Sequence, residues 1–473
     1  MQERTPLNIT PRIRWMYGFG SAAYGVKDNG FSFFLMIFYN QVLGLEGYLA
    51  GLAIMVALIF DAISDPLVGY WSDNTHSRWG RRHPFMYFSA VPVAISYYFL
   101  WNPIWQDLEQ IELFAYLTCT AILVRFFITL YEIPSTSIVA ELTDDYDERT
   151  RLLGYRYMFG WYGGLVMAVL GWGYFFNRTE LGIVEPSGYI GYSITGSVVI
   201  FLSIIISSAS LHKYIPSLPK AAIKTNKTIT SIFSELKETL SNRNFLVLFL
   251  AGLFAAIGAG ISTNFNAYIN TYFWEFTPTQ VAAMTGGLFL APAAANILTP
   301  LITRRWDKRE AAIRVYSVLI FWSASPIILR LMDFWPSNDS PLLYPFMCAH
   351  IIIDVTMIII FGIIQSSMLA DVVEHSQERT GRREEGLFFA SRTFASKATS
   401  GVGTFIAGIV LTLIDFPQGA SPGEVPEEVL FDLGVVYGPT LMAFYATALF
   451  CITFYTISRQ GHKERTEKLA SKS

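Results

Sequence analysis

The chain consists largely of long apolar segments separated by short polar ones, and this pattern restricts it to the folds that a membrane allows. Of its 473 residues, 52% are hydrophobic and only 15% are charged. A helix needs about 20 apolar residues to cross the hydrocarbon core of a bilayer. About twelve segments reach that length, which predicts an all-α polytopic membrane protein. They lie near residues 15–43, 47–72, 84–105, 111–141, 152–176, 189–215, 245–274, 279–303, 311–333, 341–373, 385–414 and 435–458.

Lysine and arginine are concentrated in alternate loops. One set of loops holds nearly all of the basic residues, whereas the opposite set holds essentially Arg178 alone. Basic residues mark the loops that stay in the cytoplasm. The sequence therefore predicts that both termini and the long middle loop are cytoplasmic. We expect the protein to lie in a bacterial inner (plasma) membrane.

A polar segment in the middle divides the chain into two halves. Residues 1–214 and 245–473 would each form a six-helix half, the second with a cytoplasmic tail. The loop between them, residues 215–244, contains the amphipathic segment Thr228–Leu240. Such a segment typically lies on the membrane surface as a helix.

An internal repeat supports the division. A shift of 230 residues places Ile133–Thr150 on Ile363–Thr380 without a gap, and both copies end in Glu-Arg-Thr. Glu141 in the first copy corresponds to Asp371 in the second. Two halves related by a parallel repeat, with the substrate site near the midplane between them, are the plan of the major facilitator fold.

Two carboxylates lie inside the second apolar segment. Asp61 and Asp65 are one helical turn apart, so they share a face. Pro66 lacks an N–H and leaves the carbonyl of Ala62 without its helical partner, and Ser64 adds a hydroxyl. Hard cations such as Na⁺ prefer oxygen ligands of this kind. The alternative is that both acids lie at a helix end and reach water, but the polar residues come only later, after residue 71.

The polar segment after this span is short, basic and punctuated by glycine. A plain cytoplasmic loop would explain the charge. The spacing Gly…Asp…Arg-x-Gly-Arg-Arg favours a more specific contact, in which an acid near a helix N-terminus holds two bundles together and releases them during a conformational change. The residues expected to take part, with those of the repeat, are Gly69, Asp73, Arg78, Arg81, Arg82, Glu141, Arg149, Asp371 and Arg379.

Several other ionisable residues lie well inside apolar segments. Such residues face a cavity or each other far more often than lipid. They are Asp28, Arg125, Glu132, Arg156, Asp354 and Lys397. Thr129 shares a helix face with Glu132, and Asn266 shares one with Asn270, where the two amides either line the cavity or join helices.

Acids crowded in a low dielectric take up a proton, bind a cation or pair with a base. Binding of a cation there would couple its entry to that of a solute, because such linkage is reciprocal. Lys397 is a candidate counter-charge from the second half. Structural ion pairs are the alternative for two residues: Arg125 with Glu132 or Asp28, and Asp354 with Arg330.

The chain resembles the glycoside–pentoside–hexuronide:cation symporters, a branch of the major facilitator superfamily. The resemblance covers nearly the whole chain. It rests on YGFG (Tyr17–Gly20), Lys27–Asp28, the stretch Asp61–Pro84, YEIP (Tyr131–Pro134), Arg156, Met368–Gly386 and Lys397. It implies a set of cation ligands: Asp61, Asp65, Thr129 and Glu132. It also implies a set of sugar-binding residues: Asp28, Glu132 and Arg156, with Lys397 near both sites.

Three positions depart from the sugar-transporting pattern. Glu132 replaces an aspartate, and Thr136 and Gly362 stand where tryptophans are expected. The loss of both rings weighs against a melibiose-like galactoside. An Na⁺-dependent symporter of a lysophospholipid or other amphiphile is therefore the first alternative, since the same branch contains such proteins.

The sequence as a whole predicts a monomeric symporter that moves a sugar, glycoside or uronide by alternating access. The coupling cation is expected to be Na⁺, with H⁺ or Li⁺ as alternatives, and no other cofactor or nucleic acid is expected. Solute, cation and membrane lipid are the expected partners. The alternative from another functional class is a transporter-derived sensor, which would need an appended soluble domain. No GxSxG elbow, spaced histidine cluster or phosphate loop indicates an enzyme.

Overall fold

Helices occupy every segment that the sequence predicts to cross the membrane. The structure is a computed structural model that describes residues 9–105, 107–143, 145–218, 242–380 and 385–457. Within these ranges, it does not describe the side chains of residues 140, 146, 147, 373–380 and 385–394. In chain order the α-helices are α1 (Pro11–Phe19), α2 (Ala22–Asn29), α3 (Gly47–Asn74), α4 (His83–Trp101), α5 (Gln110–Ser137), α6 (Val139–Leu142), α7 (Tyr146–Leu170), α8 (Pro186–Leu211), α9 (Arg243–Tyr268), α10 (Pro278–Gly287), α11 (Ala291–Arg305), α12 (Lys308–Leu331), α13 (Leu343–Thr380), α14 (Glu385–Leu413) and α15 (Glu427–Thr453).

Short stretches of other helix types extend several of these. The π-helical ones are Gly30–Leu35, Phe38–Val42, Gly171–Phe176 and Ile269–Phe273, and the 3₁₀ turns are Gly182–Val184, His212–Ser217 and Leu288–Leu290. Among the residues described, ten helices are long and apolar enough to cross a membrane. The two other predicted spans are helical as well: the first comprises α1, α2 and two π segments, and the third is α4. The predicted all-α polytopic fold is confirmed.

The first predicted span is not one continuous helix, which the apolar pattern did not indicate. It breaks between Phe19 and Ala22 and becomes π-helical from Gly30. Small residues explain how closely its middle part packs on α7. A Cβ built on Gly25 would lie 2.0 Å from the carbonyl oxygen of Gly160. Only glycine permits such an approach of two backbones, as in other packed membrane helices.

Contacts group the chain into two units. One contains Met1–Thr225, Thr263–Gly286 and Phe405–Val425, and the other contains Asn226–Ser262, Gly287–Thr404 and Pro426–Ser473. The predicted halves, residues 1–214 and 245–473, stay a prediction. Most of the predicted middle loop, including Thr228–Leu240, lies outside the described residues.

In the first unit, two segments from late in the chain pack on the early helices. The Tyr268 hydroxyl donates to Asn40 Oδ1 over 2.8 Å. The Tyr48 N–H donates to Thr412 Oγ1 over 3.1 Å. A Cβ on Gly408 would lie 2.2 Å from a backbone oxygen at the start of α3. The last two of these contacts join the first turn of α3 to the end of α14.

The second unit is built around α12 and α13. The rings of Tyr316 and Phe361 stack with centroids 3.9 Å apart, and α15 packs along α12. The Ser323 hydroxyl bonds to the carboxylate of Asp354. The predicted ion pair of Asp354 with Arg330 is wrong, because a hydroxyl from the neighbouring helix is the partner instead.

The two copies of the repeat differ in backbone. Ile363–Thr380 lies within the uninterrupted helix α13, whereas Ile133–Thr150 includes the end of α5, the short α6 and the start of α7. The Glu-Arg-Thr endings are helical in both copies, and the difference lies before them, where Thr143 and Asp145 of the first copy are not helical.

We expect Gly25→Ala to lower the stability of the protein by roughly 1–3 kcal/mol, because the added methyl would force α2 and α7 apart. The measurement is the thermal unfolding midpoint of purified protein. Gly154→Ala on α7 is the control, since a Cβ there would meet nothing within 4 Å. A Gly25→Ala midpoint equal to that of the control would contradict the close contact.

Candidate cation and solute site

The two carboxylates of α3 meet a single hydroxyl from α5. Thr129 Oγ1 lies 3.0 Å from Asp61 Oδ1 and 3.1 Å from Asp65 Oδ1. A hydroxyl has one proton and donates to one oxygen at a time. The second short oxygen–oxygen contact is therefore favourable when a proton or a cation is shared there. The structure thus brings together three residues that the sequence predicted as cation ligands.

A buried arginine completes this group. Arg125 Nη1 lies 3.0 Å from Asp61 Oδ2, and its guanidinium lies 4.5 Å from the centroid of the Phe31 ring. Both charges are almost fully buried, with Asp61 1% and Arg125 4% exposed. Neither predicted partner of Arg125, Glu132 or Asp28, is the one observed.

A signal for the observed pair was present in the sequence. Arg125 and Thr129 are four residues apart, so they share a face of α5. Whatever Thr129 contacts on α3 is therefore within reach of Arg125. Helix spacing alone does not say which face of α3 is opposed, and this is why the partner was not identified.

Ser64 makes a hydrogen bond within its own helix. Its hydroxyl donates to the backbone carbonyl of Asp61 over 3.0 Å, and the side chain is buried. The helix continues through Pro66 to Asn74. The serine oxygen thus stabilises the turn that carries Asp61, and whether it also binds a cation stays a prediction.

Arg156 on α7 is held by two hydroxyls from the end of α5. Its Nη1 donates to Ser135 Oγ over 3.0 Å and its Nη2 to Thr136 Oγ1 over 2.8 Å. The guanidinium also lies 5.3 Å from the centroid of Tyr17 and 5.8 Å from that of Tyr24.

Thr136 is the position where the sugar-transporting pattern has tryptophan. At this position the structure has a hydroxyl that accepts a hydrogen bond from Arg156. Sequence reasoning noted this replacement but missed its consequence for the arginine.

The structure also describes the surroundings of the other predicted solute residues. Lys27 Nζ pairs with Asp28 Oδ1 over 2.6 Å, and the Asp28 side chain is 52% exposed whereas that of Lys27 is 2% exposed. Asn266 accepts a hydrogen bond of 3.0 Å from Asn270 Nδ2. Glu132 is close enough to exert a Coulombic attraction on Arg156. Lys397 is half-buried on α14, in the second unit.

The predicted conformational residues form a charge cluster at the far end of α3. Glu141 Oε1 accepts a 2.8 Å bond from Arg81 Nη2 and also pairs with Arg82. Arg82 Nη2 lies 2.7 Å from Asp73 Oδ1. One acid of α6 is thus joined to the loop that links α3 with α4.

The repeat-related acid makes an equivalent contact in the second unit. Asp371 pairs with Lys308 Nζ over 2.7 and 2.8 Å. Lys308 begins α12 after the short connection from α11, just as Arg81 and Arg82 precede α4. Each acid of the repeat therefore binds a base at or just before the start of a helix in its own unit.

The structure also shows the neighbours of three other predicted conformational residues. Arg149 Nε donates to the Thr143 carbonyl over 2.7 Å. The Arg78 guanidinium lies 5.3 Å from the Trp79 ring. A Cβ on Gly69 would meet a side-chain atom of α5 at 3.6 Å. The Arg379 side chain lies outside the described residues.

The chain is similar to known transporters along nearly its full length. A family model described as "MFS/sugar transport protein" matches residues 16–459. The chain belongs to this family. The predicted resemblance to the glycoside–pentoside–hexuronide:cation symporters is therefore confirmed. The protein is a multi-pass membrane transporter and not an enzyme.

Individual relatives and a solved structure agree with the family. An inner membrane symporter of Escherichia coli is 23% identical, with 96% of this chain and 94% of that protein covered. An isoprimeverose transporter of Lactiplantibacillus pentosus is 23% identical, with 84% and 79% covered. The crystal structure of a D-xylose-proton symporter matches with a TM-score of 0.67 at 13% identity, with 95% of this chain and 98% of that chain covered. That last likeness concerns the fold alone.

We expect Arg125→Gln and Asp61→Asn to destabilise this MFS transporter singly, and the double variant to recover most of the loss. Removing one partner of a buried pair leaves an uncompensated charge, which costs roughly 3–5 kcal/mol. Thermal unfolding of the four proteins gives the coupling energy by a double-mutant cycle. Additive effects of the two substitutions would show that the pair contributes no coupling.

Proposed function

We propose that the protein is a cation-coupled symporter of a sugar or glycoside, with Na⁺ as the coupling ion. The observation that carries the proposal is the Thr129 hydroxyl within 3.1 Å of both Asp61 and Asp65. Oxygen atoms from two carboxylates and a hydroxyl are ligands that hard cations prefer.

The charge of the group favours a monovalent ion. With both acids ionised, Asp61, Asp65 and Arg125 would together carry one net negative charge, because the arginine offsets one of the two acids. A single monovalent cation would neutralise the group. Protonation of one carboxylate would do the same, so H⁺ and Li⁺ are the competing coupling ions, and the measurements below separate them from Na⁺.

Helix α5 provides a route by which ion and solute affect each other. Thr129 contacts the acids of α3, while Ser135 and Thr136, two turns further along the same helix, hold Arg156. A cation that draws Asp61 and Asp65 together would shift α5 and with it the arginine. Such coupling is reciprocal, so bound solute would raise the affinity for the cation equally.

Arg156 and Asp28 are the groups proposed to recognise the solute. A guanidinium offers a fork of donors, and a carboxylate accepts from hydroxyls. Together they suit a polyhydroxylated ring. An isoprimeverose transporter is among the relatives, so pentose-containing glycosides are the first solutes to test.

The proposed orientation follows the basic loops. Arg81, Arg82 and Lys308 lie in or next to connections that the distribution of lysine and arginine assigns to the cytoplasm. We place both termini on that side, in a bacterial inner membrane, where a relative of Escherichia coli carries that location in its name.

Asp65→Asn is expected to abolish the stabilisation that Na⁺ gives to the purified protein. An ion that binds only the folded state raises its stability by about 2.7 kcal/mol at a hundred times its Kd. The measurement is the melting temperature in NaCl and in KCl at equal ionic strength. Repetition in LiCl and across pH identifies the competing ions.

Asp333→Asn is the matched control for Asp65→Asn. Asp333 is exposed in a turn with φ 59°, a conformation that asparagine tolerates. An equal Na⁺ effect in the two variants would move the cation site away from Asp65.

Arg156→Ala is expected to weaken solute binding while the Na⁺ effect on stability remains. A hydrogen bond to a charged group contributes about 1.5–3 kcal/mol, so affinity should fall roughly ten- to hundredfold. The measurement is the solute-dependent melting shift over a panel of xylosides and other glycosides. Arg156→Lys keeps the charge but loses the fork, and solute shifts equal to wild type in both variants would exclude Arg156 from the solute site.

A further inference from the structure

We propose that the Arg125 side chain takes the place of the coupling cation at Asp61 while the site is empty, and that an incoming cation displaces it. Arg125 then determines how tightly the transporter binds Na⁺. This inference rests on the proposed function, because it concerns the same acids of α3. It adds a competitor that is part of the chain itself.

The guanidinium and a bound ion use the same carboxylate. Arg125 Nη1 donates to Asp61 Oδ2 over 3.0 Å, and the other oxygen of this acid lies 3.0 Å from Thr129 Oγ1. Both oxygens of Asp61 are therefore within hydrogen-bond distance of a donor group. A donated hydrogen bond occupies a lone pair that a cation would need. An ion that takes Asp61 as a ligand therefore competes with Arg125 for it.

Electrostatic repulsion adds to this competition. An ion bound to Asp61 would lie close to the guanidinium, because both contact the same carboxylate. Asp61 and Arg125 are almost fully buried, and charges in such a place are screened much less than at the surface. The positive charge of Arg125 therefore lowers the affinity of the site for a second positive charge.

The contact between Arg125 and Asp61 uses only part of the guanidinium. Among the residues described, one nitrogen of Arg125 donates to this acid. The Nε atom is buried and has no hydrogen-bond partner in the same part of the chain. Buried polar groups are nearly always paired. The unpaired nitrogen therefore indicates that the arginine is not held in its most favourable arrangement while the site is empty.

Another arginine shows a more complete pairing. Arg14 Nε and Nη2 donate to the two carboxylate oxygens of Glu148 over 2.7 and 2.8 Å. Such two-point contacts are the strong form of an arginine–carboxylate pair. The one-point contact of Arg125 with Asp61 is easier to break, as a contact that a cation must displace requires.

An aromatic ring beside the pair can hold the displaced guanidinium. The guanidinium carbon of Arg125 lies 4.5 Å from the centroid of Phe31, a buried residue of the π segment Gly30–Leu35. A cation over an aromatic face is attracted to it. A small rotation of the arginine side chain would separate Nη1 from Asp61 while the guanidinium stays on the ring.

The test measures Na⁺ affinity of the purified full-length protein. Binding of radioactive Na⁺ is followed by scintillation proximity, with KCl holding the ionic strength constant. Arg125→Gln is expected to bind Na⁺ at least about tenfold more tightly than wild type, because a nearby positive charge has been removed. Arg125→Lys keeps the charge and is expected to bind Na⁺ less tightly than Arg125→Gln.

Two further variants make the comparison decisive. Arg14→Gln is the matched control, since it also breaks an ion pair but has no contact with the acids of α3, and its Na⁺ affinity should equal that of wild type. Arg125→Met is a second variant without the charge, and its flexible side chain fills irregular space, so it replaces Arg125→Gln if that protein does not fold. Melting temperatures in NaCl show which variants are folded.

The outcomes separate this inference from the proposed symport. Equal Na⁺ affinity in wild type and the charge-free variants would overturn the role of Arg125, while Na⁺ binding that Asp65→Asn abolishes would leave the symport supported. A gain in Arg125→Lys as large as in Arg125→Gln would also overturn that role. Binding by the charge-free variants alone would support the role of Arg125 and contradict Na⁺ coupling in wild type. Binding by none of these proteins would overturn both.

Discussion

The site in the first unit depends on one buried ion pair. Asp61 and Arg125 are both nearly inaccessible to water, and two such charges are tolerated in a membrane protein only when they face each other. Their contact fixes the face of α3 that meets α5. This orientation in turn places Thr129 between Asp61 and Asp65. The arrangement of oxygen atoms that suits a cation is therefore a consequence of how a buried charge is neutralised.

Acids are also neutralised by ion pairs near the ends of the helices. Glu141 pairs with two arginines, and its repeat equivalent Asp371 pairs with Lys308. The bases differ in identity and number, yet each lies at or just before the start of a helix in its own unit. The two acids of the repeat thus make the same kind of contact although the local backbones of the two copies differ.

Much of the fold was predictable because the length of an apolar segment determines whether it can cross a bilayer as a helix. The positions of the helices followed from apolar segments, and the acids Asp61 and Asp65 stood out because ionisable residues are costly there. Side chains that share one helix face, such as Thr129 and Glu132, could also be found from spacing. These features depend on local sequence or on a single helix.

The features that sequence reasoning missed depend on contacts between helices. The close packing of the first span brings the backbone of Gly25 against that of Gly160, and nothing local indicates which helix will be its neighbour. To identify Asp61 as the partner of Arg125, one would need to know how α3 is rotated about its own axis.

The position of three hydroxyl groups on one helix restricts how the protein can vary. Thr129 contacts the acids of α3, whereas Ser135 and Thr136 accept hydrogen bonds from Arg156. Only a few residues separate Thr129 from the other two. Each residue of an α-helix rotates the chain by about 100° around the helix axis. One inserted or deleted residue between these groups would turn one of them away from its partners. Solute preference can therefore diverge by replacement of side chains on α5, whereas changes in length are confined to the loops.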